Sequence, residues 1–424
     1  MDTIFALSSG AAPAGIGVIR VSGPQAFAAV TRIAGLLPPV RSARVRALRD
    51  DRGNLLDRAL VLVFPGPATA TGEDLAELHC HGGRAVIASV LATLAAQPGL
   101  RPAVAGEFTR RALANGRIDL AEASGLADLL SADTERQRIA ALAAAEGIVS
   151  QRVRDWLDQL AMLAALIEAQ LDFADEDDVA GDDAALASIR VGKAALAAEL
   201  RAVLANPSVE RLRDGVHVVL AGPPNSGKST LVNLLSQREL AIVSPIAGTT
   251  RDRIEATVTR AGLVYVLTDT AGLTESDDPV ERIGVTRAEA SVARADLLLW
   301  LGDAQPPRPD AVWVRARADQ PDRQAVPDAE VSVSQNDLAS IEALWNIIAD
   351  RAERLLPRGD AITFRESERD ACRHALSALE EDEGDPLIIG EQLRLATRAL
   401  GQILGIDATE AMLDNLFGRF CIGK

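Results

Sequence analysis

Aromatic residues make up only 3% of the 424-residue chain, which argues against extended base-stacking platforms for single-stranded nucleic acid. Basic residues are outnumbered as well. Against 60 Asp and Glu stand 44 Lys and Arg, giving a formal charge of −16 and a pI near 4.8. Such a chain does not hold nucleic acid by bulk neutralisation of phosphates, which takes clustered Lys and Arg. Contact with RNA then requires a local basic patch or a basic partner. Cysteine is scarce: Cys80, Cys372 and Cys421 are far apart and odd in number. That excludes a disulfide framework and a CxxC zinc pattern, and it suits a reducing, cytoplasmic setting. No run reaches the ~18 apolar residues of a membrane span. The start MDTIFALSSGAAPAG lacks a basic region and a sustained apolar core, so neither a leader nor a span is expected. The terminal CIGK is a poor prenylation box because Gly and Lys fill its last two places. What remains, 48% hydrophobic and 25% charged, is the profile of a folded protein of two to four domains, at roughly 100–200 residues each.

The texture of the chain changes three times. The first ~115 residues mix short strands, such as GIGVIRVSG and ALVLVFPG, with a helix over 84–97 that Pro98-Gly99 ends. Helical spacing then dominates in Leu120–Leu130, Ile139–Leu171 and Ala184–Leu204, interrupted by the acidic stretch around Asp175–Asp178, which reads as a solvated loop. From Val216 the pattern becomes repeated βα: VHVVLAG, VYVLTDTAG, ADLLLWLGD, AVWVRARAD and AEVSVSQND are apolar runs of buried-strand length. After Pro357, helices are expected over 365–381, 386–404 and 408–417. The simplest architecture is an α+β domain, then a helical domain with an α/β domain inserted into it.

The stretch Gly222-Pro223-Pro224-Asn225-Ser226-Gly227-Lys228-Ser229 fits GxxxxGK[ST] in full, after a strand and at the start of a helix. Backbone N–H groups of such a loop cradle phosphates, Lys228 brings a cation to the β- and γ-phosphates, and Ser229 offers an oxygen to Mg2+. Asp269-Thr270-Ala271-Gly272 then matches the DxxG element of GTPases. Asp269 would support Mg2+ through water and Gly272 would meet the γ-phosphate. Between them, Gly248-Thr249-Thr250-Arg251-Asp252 stands where a switch I threonine belongs. Guanine selection by NKxD is expected where this chain has Ala316-Arg317-Ala318-Asp319. Asp319 can accept from the guanine N1–H and N2–H2 groups, whereas Ala316 cannot supply the usual amide contact. One lost hydrogen bond costs about 0.5–1.5 kcal/mol, so a weakened but guanine-selective site is expected. Leu273 occupies the place of the glutamine that orients the attacking water in Ras-like GTPases. Asn225 is a candidate oxygen ligand for a monovalent cation, and Glu281 for orienting water.

These elements, GPPNSGKSTL, AGTTRD, DTAGL and VERIG, resemble the MnmE (TrmE) family of tRNA-modification GTPases. So do GIGVIRVSGP, FPGPATATGEDLAELHCHGG, GEFTRRALANGRIDLAEASGLADLL and the terminal FCIGK, and the resemblance covers essentially the whole chain. The related GTPases Era and Der share the loop but not the terminal signatures. The resemblance implies a multidomain α+β and α/β protein. Residues 1–117 would form a dimerising α+β domain similar to folate-binding aminomethyltransferase domains. Residues 118–213 and 358–424 would form the helical domain, with a P-loop GTPase α/β domain inserted at 214–357. It implies a cytoplasmic homodimer that joins the FAD-dependent partner MnmG (GidA) in a heterotetramer and meets tRNA mainly through that complex. The complex adds an aminomethyl-type (carboxymethylaminomethyl) group to C5 of the wobble uridine, U34, using 5-formyl- or 5,10-methylene-tetrahydrofolate. GTP hydrolysis is K+-stimulated and uses Mg2+.

Residue by residue, the resemblance implies that Asn225, Ser244, Ile246 and Thr249 hold K+ and that Ser229 and Thr250 hold Mg2+. Glu281 would be the catalytic glutamate. GTP would contact Asn225, Ser226, Gly227, Lys228, Ser229 and Thr230 in the loop, and Ser244, Pro245, Ile246, Ala247, Gly248, Thr249 and Thr250 beyond it. Further contacts would come from Asp269, Thr270, Ala271, Gly272 and Asp319. Arg20, Glu77 and Lys424 align with folate contacts, and Arg117 stands where the family commonly has Lys. Cys421 is the terminal-motif cysteine, suggested to take part in the one-carbon chemistry; its plain reading is a small buried apolar residue. Ser332-Val333-Ser334 follows the family's SA[RK] only loosely. His79-Cys80-His81 suggests a metal site, but consecutive strand residues alternate faces, so none is expected. Two rivals are a nucleotide-gated binding module without folate chemistry, and a degenerate GTPase domain kept for scaffolding.

Overall fold

A computed structural model describes residues 2–172, 183–236, 240–241, 255–270, 291–320, 328–357, 362–381, 385–406 and 408–424. The chain divides into two compact units. The first is Met1–Leu130, Ala143–Asp158 and Thr397–Lys424; the second is Ser131–Leu142 and Gln159–Ala396.

In chain order the first elements are β1 (Thr3–Leu7), β2 (Ile16–Ser22), α1 (Ala26–Ala34), β3 (Arg44–Arg49), β4 (Leu55–Phe64), β5 (Leu75–His81), α2 (Arg84–Ala95), β6 (Leu100–Pro102) and α3 (Glu107–Ala114). The strands form one sheet in the order β3-β4-β5-β2-β1-β6, antiparallel except for β1 with β6. Alternation does the sorting: Ala76, Leu78 and Cys80 of β5 point into the core, while Glu77 and His79 stand on the other face. The register of β2 against β5 sets Arg20 opposite Glu77.

The helices that follow are α4 (Leu120–Ser131), α5 (Glu135–Ala145), α6 (Ile148–Asp172), α7 (Asp183–Ala205) and α8 (Glu210–Asp214). The spacing predicts one helix across Ile139–Leu171; the structure has two. The break falls at Gly147, whose φ of +85° is open to glycine, and a Cβ there would sit 2.6 Å from a Glu122 carboxylate oxygen. Along α7, Ile189, Leu196 and Leu200 are buried on one stripe, and Lys193 lies on the same stripe at 7% exposure. The sequence has only three lysines, Lys193, Lys228 and Lys424, all its other cations being arginine.

The remaining elements are β7 (Val216–Ala221), α9 (Lys228–Ser236), β8 (Leu240–Ala241), β9 (Glu255–Arg260), β10 (Leu263–Asp269), β11 (Leu297–Trp300), β12 (Val312–Ala316), β13 (Val331–Val333), α10 (Leu338–Leu355), α11 (Glu366–Glu380), α12 (Pro386–Gly401) and α13 (Glu410–Phe417). Among the described residues the second sheet runs β13-β12-β11-β7-β10-β9-β8, parallel from β13 to β10. β7 is apolar along its length because both its faces are covered. Val218 and Leu220 pack with Leu231, Leu235 and Trp345, while Val219 and Ala221 pack with Ala295 and Leu298.

In the same unit α11 lies along α7. Arg369 of α11 ends α7 by donating to the carbonyls of Val203, Leu204 and Asn206. Lys193 donates to the Glu381 carbonyl at 3.3 Å and to the Gln392 side-chain oxygen, which offsets the cost of burying its charge.

Candidate functional site

The parallel register builds the site. β10 pairs with β7 so that Asp269 lies opposite Leu220, and β11 places Trp300 opposite Ala221. Asp269 therefore arrives at the carboxyl end of β7, where the Gly222–Gly227 loop begins and where ligands meet open α/β sheets. Asp269 is 3% exposed and its carboxylate takes a hydrogen bond from the Ser229 hydroxyl. The Thr270 hydroxyl donates to the Leu220 carbonyl at 2.8 Å, which fixes the end of β10 against β7.

Within the loop, Lys228 is 4% exposed, and its ammonium donates to the Gly222 and Pro223 carbonyls at 3.0 and 2.9 Å. The Ser226 hydroxyl is buried with no hydrogen-bond partner among the described residues, as suits a cradle shaped around a polar ligand. Asn225 adopts φ +61°, a left-handed conformation that asparagine tolerates better than most side chains. The oxygen pair of Ser229 and Asp269 fits Mg2+, which prefers hard oxygen ligands. Thr230 lines the same cleft of about 540 Å3.

The base end of the cleft is formed by Ala316, Arg317, Asp319, Gln320, Val333 and Gln335. Arg317 also takes a positive φ, +59°, and its guanidinium donates to the Asn225 carbonyl at 2.8 Å, tying this end to the phosphate loop. Asp319 accepts from the Asn336 amide at 3.1 Å. Val333 lines the cleft, but Ser332 does not; the residues that reach it from this segment follow the strand. Gln335 and Asn336 escaped the sequence reading because nothing local ties them to Asp319. The strand pairing of Ala316 with Val333 is what brings them near.

In the first unit, Arg20 donates to Glu77 at 3.0 Å, and Glu77 shares its other oxygen with His79 at 3.2 Å. The Arg20 guanidinium lies 5.8 Å from the Phe108 ring centroid, and the Phe108 N–H donates to the Lys424 main-chain oxygen at 3.2 Å. Phe108 thus meets the Arg20 guanidinium through its ring and the Lys424 main chain through its N–H, while Glu77 is tied to Arg20. Arg117 is not joined to them by any recorded contact. It lines a separate cavity of about 600 Å3 with Arg110, Ile118, Arg154 and Leu413.

The terminal segment is held by main chain: Ala105 bridges Ile422, and Gly423 packs on the Leu7 carbonyl. Cys421 is exposed, whereas Cys80 and Cys372 are buried and burial pushes both thiols up to about 12. His81 bonds Asp57 at 2.7 Å and Cys80 points inward, so the three residues of His79–His81 do not converge. Among the described residues no His, Cys, Asp or Glu cluster could hold a metal ion.

One ionic cluster was invisible in the sequence. Arg111, within the GEFTRR signature, reaches Asp2, Glu73 and Glu107. Arg101 meets Asp2 and Glu107. The expected site residues Ser244, Pro245, Ile246, Ala247, Gly248, Thr249, Thr250, Ala271, Gly272 and Glu281 lie outside the described residues, as does the acidic stretch 175–178.

A strand, a Gly-rich turn and a helix with its lysine and serine in these places define a P-loop nucleoside triphosphatase site. The family model for the GTP-binding protein TrmE N-terminus matches residues 3–117, and that for the MnmE helical domain matches 120–421. Three proteins described as tRNA modification GTPase MnmE are similar over their whole length. That of Sphingopyxis alaskensis is 51% identical, covering 96% of this chain and 100% of its own. That of Rhizorhabdus wittichii is 53% identical, covering 100% and 97%. That of Erythrobacter litoralis is 52% identical, covering 100% of both. The chain belongs to the MnmE family of tRNA modification GTPases. Among solved structures, the cytosolic domain of the T. maritima FeoB iron transporter in its GMPPNP form matches 45% of this chain and 98% of its own. At 16% identity and a TM-score of 0.24, that likeness bears no weight.

Proposed function

We propose that the chain is the K+-stimulated GTP-hydrolysing subunit of a wobble-uridine modification complex. With an FAD-dependent MnmG-type partner it adds an aminomethyl-type group to C5 of U34, taking one carbon from a tetrahydrofolate derivative. The observation that carries the hydrolytic half is the Ser229–Asp269 hydrogen bond, with the buried Lys228 ammonium held by the carbonyls of the same loop. Lys228 and the loop N–H groups would hold the phosphates, Ser229 and Thr250 the Mg2+ with Asp269 supporting it through water, and Asn225 a K+ ion. Bound Mg2+ supplies charge neutralisation at the β- and γ-phosphates. Glu281 is assigned the orientation of water, since Leu273 has no hydrogen-bonding side chain.

Arg20 and Glu77 supply the paired charge expected of a polar heterocycle site, and we assign Cys421 and Lys424 to the same site; the Phe108 N–H bond to the Lys424 main-chain oxygen supports this. A homodimer in the cytoplasm is part of the proposal, and the −16 charge leaves most of the tRNA affinity to the partner.

The test is nucleoside analysis of tRNA from cells lacking the gene and from the same cells complemented with it. Modified U34 should return on complementation; unchanged wobble uridines would overturn the proposal. GTP turnover should be faster in K+ than in Na+ and fall in Glu281→Ala. Failure of the purified chain to bind any folate would favour the nucleotide-gated reading without one-carbon chemistry.

A further inference from the structure

The base end of the nucleotide cleft lacks an amide at position 316, yet it carries one on the neighbouring strand. β12 and β13 are parallel with Ala316 opposite Val333, and the pairing continues through the Ala318 N–H to the Val333 carbonyl at 3.1 Å. Gln335 therefore leaves the sheet two residues past Val333, level with the Asp319 segment.

Its backbone is fixed by a tight turn. The Asn336 N–H donates to the Ser334 hydroxyl at 3.1 Å, and the Asp337 N–H to the Ser334 carbonyl at 3.2 Å. Asp337 then caps α10 through the Ala339 N–H at 3.0 Å. Asn336 engages one Asp319 oxygen at 3.1 Å and leaves the second for a ligand N–H. Gln335 is exposed and lines the cleft beside Ala316 and Asp319, and among the described residues its amide has no hydrogen-bond partner.

We propose that Gln335 is a specificity-determining residue for guanine, its side-chain amide donating to the O6/N7 edge while Asp319 accepts from the N1–H and N2–H2 edge. A guanine offers two acceptors on that edge, whereas adenine offers a donor at N6 beside its N7 acceptor. A free carboxamide would pair with either edge, so the selection needs Asp319. Its acceptance from N1–H and N2–H2 fixes the base in the guanine orientation. Only then does the Gln335 N–H2 meet O6 and N7, its extra methylene relative to asparagine giving it reach from β13. Asn336 acts as a positioning residue through Asp319.

The proposal rests on the cleft being a guanine-nucleotide site. Its test is calorimetric titration of the full chain with GDP and ADP. Gln335→Ala should weaken GDP binding about 3- to 10-fold, one hydrogen bond's worth, and leave ADP binding unchanged. Gln335→Glu, with acceptors in place of donors, should bind GDP more weakly than Gln335→Ala and ADP more tightly. Ala316→Asn added to Gln335→Ala should restore GDP affinity. Because Gln335 is exposed, melting of the nucleotide-free chain should not move. Wild-type GDP affinity in Gln335→Ala, or no further loss in Gln335→Glu, would overturn the assignment. A wild-type chain that binds ADP as tightly as GDP would overturn the guanine-site reading beneath it.

Discussion

Replacing Gly423 by alanine should detach the terminal segment without touching the nucleotide site. Gly423 has φ +99°, and a Cβ there would lie 2.1 Å from the Leu7 carbonyl oxygen and 2.8 Å from its carbon. Both are main-chain atoms of β1, so no rotamer change relieves the contact. The left-handed conformation alone costs a non-glycine residue about 1–2 kcal/mol. If the segment moves off, the Ala105–Ile422 bridge and the Phe108–Lys424 bond go with it. Each such bond is worth about 0.5–1.5 kcal/mol net. These bonds resist undocking equally in both chains, so the backbone penalty sets the shift: about 5- to 30-fold in the docked-to-undocked ratio, and more with the clash. Hydrogen exchange reads this directly, because the Phe108 amide is held by Lys424: its protection should fall by about that factor, while amides of β7 keep theirs. GTP turnover should persist and U34 modification should fail. Wild-type protection at Phe108 in Gly423→Ala would refute the argument that this position accommodates glycine alone.

Other perturbations test other parts of the molecule. Arg369→Ala removes a buried cation from two α7 carbonyls and that of Asn206 just beyond, and should destabilise the second unit by about 2–3 kcal/mol in urea unfolding, with Arg369→Lys recovering only part. The Asp2 carboxyl is held low, chiefly by the Arg101 hydrogen bond. Burial raises that of Glu107, but bonds from Arg101, the Val104 N–H and Arg111 outweigh it. A carboxyl depressed by folding stabilises fully above its unfolded value and loses that contribution as pH falls through the folded value. The urea midpoint should therefore drop from about pH 5 to about pH 3, and Glu107→Gln should flatten that slope. At pH 8 a thiol-specific reagent should modify Cys421 alone in the folded chain and all three cysteines in denaturant, since burial keeps Cys80 and Cys372 protonated. Ser229→Ala should reduce the Mg2+-dependence of GTP affinity more than the affinity for GDP without metal, measured by titration.

The phosphate loop was legible because its residues are neighbours in the chain: strand, glycines, lysine and helix fall within a single short stretch. The apolar runs named β7, β10, β11 and β12 for the same reason, since burial on both faces leaves a continuous signature, and β13 at the sheet edge by its short Val-Ser-Val alternation. Helix continuity was not legible at Gly147, because the apolar spacing carries on across the break while a positive φ ends the helix. Pairings distant in sequence were also hidden. Nothing near Arg111 announces Asp2 or Glu73, and nothing near Asp319 announces Asn336. The family resemblance named Arg20 and Lys424, but only the fold shows Phe108 in contact with the Arg20 guanidinium and the Lys424 main chain.

The near-absence of lysine has a practical consequence for chemistry on this protein. Lys193 and Lys228 are 7% and 4% exposed, which leaves Lys424 as the accessible side-chain amine of the folded chain. Among its lysines, an amine-reactive fluorophore or acylating reagent would therefore mark the terminal segment selectively, alongside the α-amino group. Nucleotide bound against Lys228 would shield that amine further. A chain so poor in lysine also offers few places for lysine acetylation, and the one in easy reach is its last residue.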